Sequence, residues 1–197
     1  MSIRILGVSG SMRAESHSAR ALRAALEAAR GRGAETRLLD LSAADLPVYR
    51  PEDTPRTEGV VAAQDAVNWA EAFVLATPDY HGSMSGALKN FLDYFWEEFA
   101  GRLFGYLCAS HEHGLTAMDQ MRTAVRQCYG WSLPYGVTVH PKKDFDAAAG
   151  TYAPAVTRRL QMLARDLVVY GELLRDQYRR DLDGTDDATF AARYRKK

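Results

Sequence analysis

The chain has 197 residues, with 25 Lys and Arg against 25 Asp and Glu and a formal net charge of zero. At 47% hydrophobic and 25% charged it has the composition of a folded protein, not of a disordered segment. A chain of this length buries about 70% of its unfolded surface and needs no disulfide framework, and its zero balance lacks the basic surplus that nucleic acid or an anionic membrane would require.

The charge is nonetheless uneven. Residues 1–100 carry 10 basic and 14 acidic side chains, and residues 101–197 carry 15 and 11. Much of the basic excess lies in Arg158–Arg180 and in the closing Arg193–Lys197, which reads as a solvated helix face and a tail. The opening Met1–Val8 has too short an apolar run for a signal peptide. No stretch reaches the ~18 apolar residues of a membrane span, so a cytoplasmic protein with no membrane partner is expected. Cys108 and Cys128 are twenty residues apart in apolar segments, which predicts buried reduced thiols, and two cysteines are too few for a cluster held by four.

Hydrophobic periodicity alternates between short β-like runs and longer amphipathic stretches. Ile3–Val8 reads as a buried strand and Ser18–Arg30 as a helix stopped by Gly31 and Gly33. Thr36–Leu41 is a second strand, followed by a loop marked by Pro47, Pro51 and Pro55 and by a helix over residues 57–70. Phe73–Thr77 is a third strand. Ala87–Phe99 then gives a helical stripe of Leu88, Phe91, Leu92, Phe95 and Phe99. Leu103–Ala109 is a fourth strand, Leu115–Cys128 a helix, Tyr135–Val139 a fifth strand and Ala155–Tyr178 a long last helix. Five strands alternating with five helices predict a parallel sheet wrapped on both faces. With no internal repeat and no linker, residues 1–182 read as one domain and 183–197 as a tail.

In such a sheet, ligands bind beyond the carboxyl ends of the strands. After the first strand comes Ser9-Gly10-Ser11-Met12-Arg13-Ala14-Glu15-Ser16-His17-Ser18, leading into a helix. Four hydroxyls, one guanidinium and a helix N-terminus suit a phosphate monoester. Helix capping by Ser16 or Ser18 would use one of those hydroxyls, not four. The segment has no G-x-G-x-x-G, and Lys89 stands three residues past Gly86 instead of beside it, so neither the dinucleotide fingerprint nor the P-loop is present.

After the third strand comes Pro78-Asp79-Tyr80-His81-Gly82-Ser83-Met84-Ser85-Gly86-Ala87-Leu88-Lys89-Asn90-Phe91-Leu92-Asp93. This segment resembles the signature of the NAD(P)H-dependent FMN reductase family, P-E-Y-N-G-S-x-x-G-x-L-K-N-x-L-D. Gly10, Ser11, Arg13 and Ser16 likewise resemble that family's G-S-x-R-x-x-S loop. The two motifs lie about 65 residues apart, and a third segment, Ser110-His111-Glu112-His113-Gly114, falls where family members present a further flavin-facing loop.

The resemblance implies a flavodoxin-like α/β sandwich with strand order 2-1-3-4-5. It also implies bound FMN, NADPH or NADH as reductant, and a homodimer or homotetramer. Ser11, Met12, Arg13, Ser16 and Ser18 would form the FMN phosphate loop. Pro78, Asp79, Tyr80, His81 and Gly82 would bring backbone N–H groups to the pyrimidine edge of the ring, with Tyr80 flanking it or walling the pocket. Ser110, His111 and Gly114 would complete the cofactor site. Lys89, Asn90 and Asp93 would form a solvated or subunit-contacting face, and part of the aromatic set Phe91, Tyr94, Phe95, Trp96 and Phe99 would meet a second subunit.

The chain departs from the family pattern where Asp79 and His81 replace Glu and Asn, and where His111-Glu112-His113 stands in a loop often rich in glycine. His81 is the histidine expected to touch flavin or substrate. His111 and His113 lack further ligands for a metal. The implied chemistry is two-step hydride transfer through FMN to a small acceptor such as a flavin, quinone, azo or nitro compound or oxidised metal. It requires no catalytic side chain, because the chemistry sits at FMN N5. The alternatives are an FMN-dependent dehydrogenase or reductase dedicated to one biosynthetic metabolite, and a flavodoxin-like electron carrier without pyridine-nucleotide activity.

Overall fold

The structure is a computed structural model in which residues 2–195 are described, so Met1 and the last two residues of the 183–197 tail lie outside the described residues. Its centre is a parallel sheet of β1 (Arg4–Ser9), β2 (Glu35–Asp40), β3 (Ala72–Pro78) and β4 (Leu103–Ala109), in the order β2-β1-β3-β4. β1, β3 and β4 are almost continuously buried because helices cover both of their faces. The helices α1 (His17–Arg30), α2 (Glu58–Trp69), α3 (Gly86–Asp93) and α4 (Leu115–Gln127) follow those strands in turn.

The expected fifth strand needs correction. That edge is built from two short segments, β5 (Trp131–Ser132) and β6 (Val137–Val139), both parallel to β4. Leu103 pairs with Trp131 but Leu107 pairs with Val137, so the edge holds two more residues than the strand beside it. Pro134, which lacks an N–H for the ladder, stands in the gap. After β6 the chain adds a small antiparallel hairpin, β7 (Phe145–Asp146) and β8 (Thr151–Tyr152), which the sequence pattern did not announce. The last helix, α5 (Pro154–Asp183), is five residues longer at its end than expected.

Two apolar layers hold the sheet. One packs Ile5, Leu22, Leu26, Leu160, Leu163 and Leu167 between the strands and α1 and α5. The other packs Leu6, Val8, Phe73, Phe91, Phe104 and Met121 against α2, α3 and α4. Each such fully buried side chain contributes about 1.5–3 kcal/mol of transfer free energy. Within the second layer Phe73 stacks on Phe104 at 4.6 Å, and Phe99 meets both rings edge-on.

The helix expected to run to Phe99 stops at Asp93 and is followed by a 3-10 turn over Glu97–Phe99. The Glu98 carboxylate accepts the Trp96 N–H, and the tighter turn carries Phe99 into the core before β4 begins. Phe91 and Phe95 are buried as well, while Trp96 stays 59% exposed, so most of the aromatic excess is used within the chain. Asn90 is no solvated residue either. Its side chain accepts the Tyr49 N–H and donates to the Pro47 carbonyl, tying down the long proline-marked loop.

On α5, Val156, Leu160, Leu163 and Leu167 face the core as expected, but Tyr170 is exposed and Gly171 and Arg175 continue the buried stripe. Gly171 lets the helix lie close to Ile3 and Ala72. Beyond it, Arg175, Arg179 and Arg4 pair with Glu71, which is 3% exposed. The 3-10 turn Phe190–Tyr194 then folds Phe190 against Tyr178 and Tyr129. The tail is therefore held against the rest of the chain as far as it is described.

Candidate functional site

The strand register brings three loops to one edge. Ser9 lies beside Ala76 and Ala109 lies beside both Pro78 and Val139, so the chain leaves β1, β3, β4 and β6 at nearly the same level. A cavity of about 280 Å³ opens there. Ser11, Arg13, Glu15, Ser16, His17 and Ser18 line it from the first loop, Pro78, Asp79 and Tyr80 from the second, and Ala109, Ser110, His111 and Pro141 from the ends of β4 and β6.

In the first loop, Ser16 caps α1, its hydroxyl accepting the Ala19 N–H at 3.2 Å, and it shares a 3.0 Å hydrogen bond with the Ser18 hydroxyl. The Ser11 hydroxyl accepts the Arg13 N–H at 3.3 Å. Arg13 is exposed, and among the described residues its guanidinium has no carboxylate partner. The first turn of α1 holds no acidic residue. Ser9 Oγ, at the end of β1, is buried without a partner among the described residues. Such a group of hydroxyls, a free cation and a helix N-terminus attracts an anion.

The second loop is fastened to the first. Ser85 donates its hydroxyl to the Gly10 carbonyl at 2.5 Å and accepts the Leu88 N–H as the cap of α3, while its N–H goes to Thr77 Oγ1 at 2.9 Å. Gly10 is required by this crossing, because a Cβ there would lie 2.8 Å from the Leu88 Cβ and 2.9 Å from Ser85 Oγ. Tyr80 and Ser83 exchange backbone hydrogen bonds across His81 and Gly82, which have φ of 57° and 75°. Both central residues are left-handed, as a two-residue hairpin turn demands.

Asp79 organises the edge. Its carboxylate accepts the Gly82 N–H and the Ser110 hydroxyl, each at 2.8 Å, and its own N–H donates to the Ala109 carbonyl. Of the N–H groups in the Pro78–Gly82 segment, only that of His81 lacks a partner among the described residues. The His81 side chain is exposed at the turn and is not among the cavity's lining residues, and Tyr80 is 42% exposed at the mouth. Met12 projects outward at 60% exposure, and Gly114, at φ 62°, starts α4. Burial and the nearby Asp79 push the Cys108 thiol beneath this edge up to about 12, so it stays protonated.

The third wall contains His111, whose ring meets that of His140 edge-on at 5.2 Å. All five histidines, at positions 17, 81, 111, 113 and 140, stand at this edge of the sheet. The His17 imidazole is held below its usual range by partial burial and by Arg20, His111 and Arg13. Among the described residues, no three His, Cys, Asp or Glu side chains are grouped to hold a metal ion.

His17, Pro141, Thr77 and Ser85 were not singled out from sequence. His17 was hidden between two serines that explain the loop without it, while Ser85 carried a readable signal as a serine just before a helix. A larger groove of about 630 Å³ lies between α3 and α4, lined by Met84, Lys89, Thr116, Asp119, Gln120 and Ala124 among others. It continues into a second groove beside Trp96 and Cys128. The larger groove holds the hydroxyls of Ser83, Thr116 and Thr123, but its Lys89 is ion-paired with Asp93, unlike Arg13 at the sheet edge.

A family model described as NADPH-dependent FMN reductase matches residues 3–144. An NADPH azoreductase of Bacillus sp. (strain OY1-2) is 32% identical over 144 residues, covering 71% of this chain and 81% of that protein. The NADPH-dependent FMN reductase ArsH of Shigella flexneri is 27% identical over 184 residues, covering 88% and 70%. Among solved structures, the flavoenzyme NAD(P)H:(acceptor) oxidoreductase FerB from Paracoccus denitrificans aligns with a TM-score of 0.72 at 20% identity, covering 87% of this chain and 98% of that one. A flavodoxin from the domain Archaea aligns with a TM-score of 0.61 at 11% identity, covering 86% and 99%. The fold is flavodoxin-like.

Ser85→Ala removes a buried donor from the Gly10 carbonyl and the cap from α3. We expect a loss of about 1–3 kcal/mol in urea unfolding, with the first loop loosened. Stability within 0.3 kcal/mol of the parent (roughly the noise of such a comparison) would refute the role assigned to this crossing.

Proposed function

The chain belongs to the NADPH-dependent FMN reductase family, and we propose that it passes two electrons from NADPH or NADH through FMN to a small acceptor. The family uses FMN with NAD(P)H as reductant. The observation that carries the reading for this chain is the convergence of the Ser11–Ser18, Pro78–Gly82 and Ser110–Gly114 segments on one cavity.

The residues present fit the cofactor. The first loop supplies hydroxyls, the Arg13 guanidinium and the start of α1, whose first turn holds no acidic residue, and the adjoining Glu15 is paired with Arg20. Ser9 Oγ adds a buried polar atom still lacking a partner. We assign Ser11, Arg13, Ser16 and Ser18 to the phosphate, with Met12 at the loop's outer side. We assign Pro78, Asp79, Tyr80, His81, Gly82, Ser110, His111 and Gly114 to the remainder of the cofactor. Residues 1–182 form the FMN domain in this reading, although α5 itself runs on to Asp183.

Bound FMN would supply the hydride and electron-transfer chemistry between the nicotinamide and the second substrate. The protein's part is to bind and orient. Arg13 and the loop hydroxyls anchor the phosphate without a surplus of charge elsewhere. Asp79 fixes the Gly82 N–H and the Ser110 hydroxyl, so the second and third loops are aligned before the ligand arrives. That leaves the His81 N–H as the main-chain donor in the Pro78–Gly82 segment. It would favour negative charge at the pyrimidine edge. Tyr80, at the mouth, walls the acceptor side. No side chain is asked to move a proton, and Cys108 stays an uncharged thiol.

Self-association, as a dimer or tetramer, is part of the same proposal. It is supported by the groove between α3 and α4 and by the exposed Trp96 beside its continuation. Light scattering that reads a monomer at micromolar protein would remove this part.

The test is to titrate the purified protein with FMN and follow NADPH and NADH absorbance with a quinone or azo acceptor. We expect FMN uptake, nucleotide oxidation that depends on FMN, and turnover of at least one acceptor class. Arg13→Ala is expected to weaken FMN binding roughly 10- to 100-fold, the loss of one charged hydrogen bond. Failure to take up FMN would overturn the reading. FMN binding without nucleotide oxidation would favour the electron carrier or a dehydrogenase dedicated to one metabolite.

A further inference from the structure

Resting on the FMN reading above, we infer that His17 is a further phosphate ligand, one that takes up a proton as the phosphate docks. His17 stands between Ser16 and Ser18 at the first position of α1 and lines the same cavity as those serines and Arg13. Hydroxyls and Arg13 account for a phosphate site in general terms. An imidazole in that wall adds a second cation whose charge depends on the occupant.

The groups around His17 hold its imidazole below the usual range while no anion is present. On its own loop and helix it faces Arg13 and Arg20, and across the cavity it faces His111, all of which disfavour a second positive charge. The positive end of α1 acts in the same direction. Glu15 and Asp79 line the same cavity, but each carboxylate has another partner. Glu15 pairs with Arg20 at 3.3 Å while itself 90% exposed, and Asp79 accepts from Gly82 and Ser110. Asp144 accepts the His140 N–H at 2.7 Å.

The His140 Nδ1 accepts the Lys142 N–H at 3.2 Å, and its ring supports His111 edge-on. From the β7–β8 hairpin, Phe145 holds the Arg20 guanidinium 4.2 Å above its ring, and Tyr152, pushed up to about 12 by burial, stays protonated. His17 thus faces Arg13, Arg20 and His111, while the two carboxylates that share its cavity, Glu15 and Asp79, are engaged by Arg20 and by Gly82 and Ser110.

A phosphate dianion supplies a counter-charge and raises the imidazole's affinity for its proton. The complex then holds more protons than the free protein, so binding strengthens as pH falls. The gain is absent above the pKa that His17 has in the complex and complete below its pKa in the free protein. An opposite charge at contact range shifts a pKa by about 1–3 units, and each unit is tenfold in affinity. The phosphate's own second ionisation lies near 6, so the test belongs above it.

FMN fluorescence titrations between roughly pH 6.5 and 8.5 are therefore compared for the parent protein and His17→Gln, with riboflavin as the phosphate-free probe. We expect parent FMN affinity to rise roughly tenfold across that range, while His17→Gln stays flat and riboflavin shows no slope. A flat parent profile, an equal slope in His17→Gln, or an equal slope with riboflavin would each overturn the assignment. NMR titration of the His17 ring gives a second readout, since its pKa should rise when FMN is added, and an unchanged value counts against the proposal. Absence of FMN binding at every pH would instead bring down the site reading itself, and this inference with it.

Discussion

The hydrogen bond from Ser85 to the Gly10 carbonyl is the contact on which the sheet edge depends. It joins the loop after β1 to the start of α3, two segments 75 residues apart, inside a buried crossing too tight for any side chain at position 10. An unmet carbonyl in such a place costs about 1–3 kcal/mol. From Ser85 the connections run through Thr77 to the end of β3, and Asp79 then binds the second loop to Ser110 in the third. Buried strands supply the rigid base, and these few polar contacts set the loops relative to one another. A ligand that meets all three loops thus finds them aligned, which lowers the ordering cost of binding.

Much of this was legible in sequence for physical reasons. Strands covered on both faces produce continuous apolar runs, so β1, β3 and β4 could be read within a residue or two of their bounds. The sheet's last edge could not, because β5 and β6 are two and three residues long and owe their pairing to β4 alone. The stripe through Phe95 and Phe99 reads as one helix, although the chain leaves α3 at Asp93 and buries Phe95 in the link and Phe99 in the 3-10 turn. At the site, Ser11, Arg13, Ser16 and Ser18 stood out because their chemistry is local. The bridging by Asp79 and the wall formed by His17 and Pro141 depend on partners 31 or more residues away or on the cavity itself, which periodicity does not report.

The neutral total charge also acquires structure. Glu71, in the acidic half, is matched by Arg175 and Arg179 from the basic α5, so part of the imbalance between the halves is used to dock the last helix. At the opposite end of the sheet, Arg13 and His17 form no such ion pair among the described residues, the neighbouring Glu15 being paired with Arg20. Electrostatic attraction for a small anion is thereby concentrated at one loop, as suits a protein whose partner is a phosphate-bearing small molecule.

The central claim is that FMN occupies the three-loop cavity with its phosphate at the start of α1. Amide hydrogen exchange, read by mass spectrometry with and without FMN, tests it most directly. FMN should slow exchange in peptides covering residues 10–19, 78–83 and 110–114, and leave the Tyr129, Tyr178 and Phe190 cluster unchanged. Protection confined to the groove between α3 and α4, with the Ser11–Ser18 segment unaffected, would contradict the account.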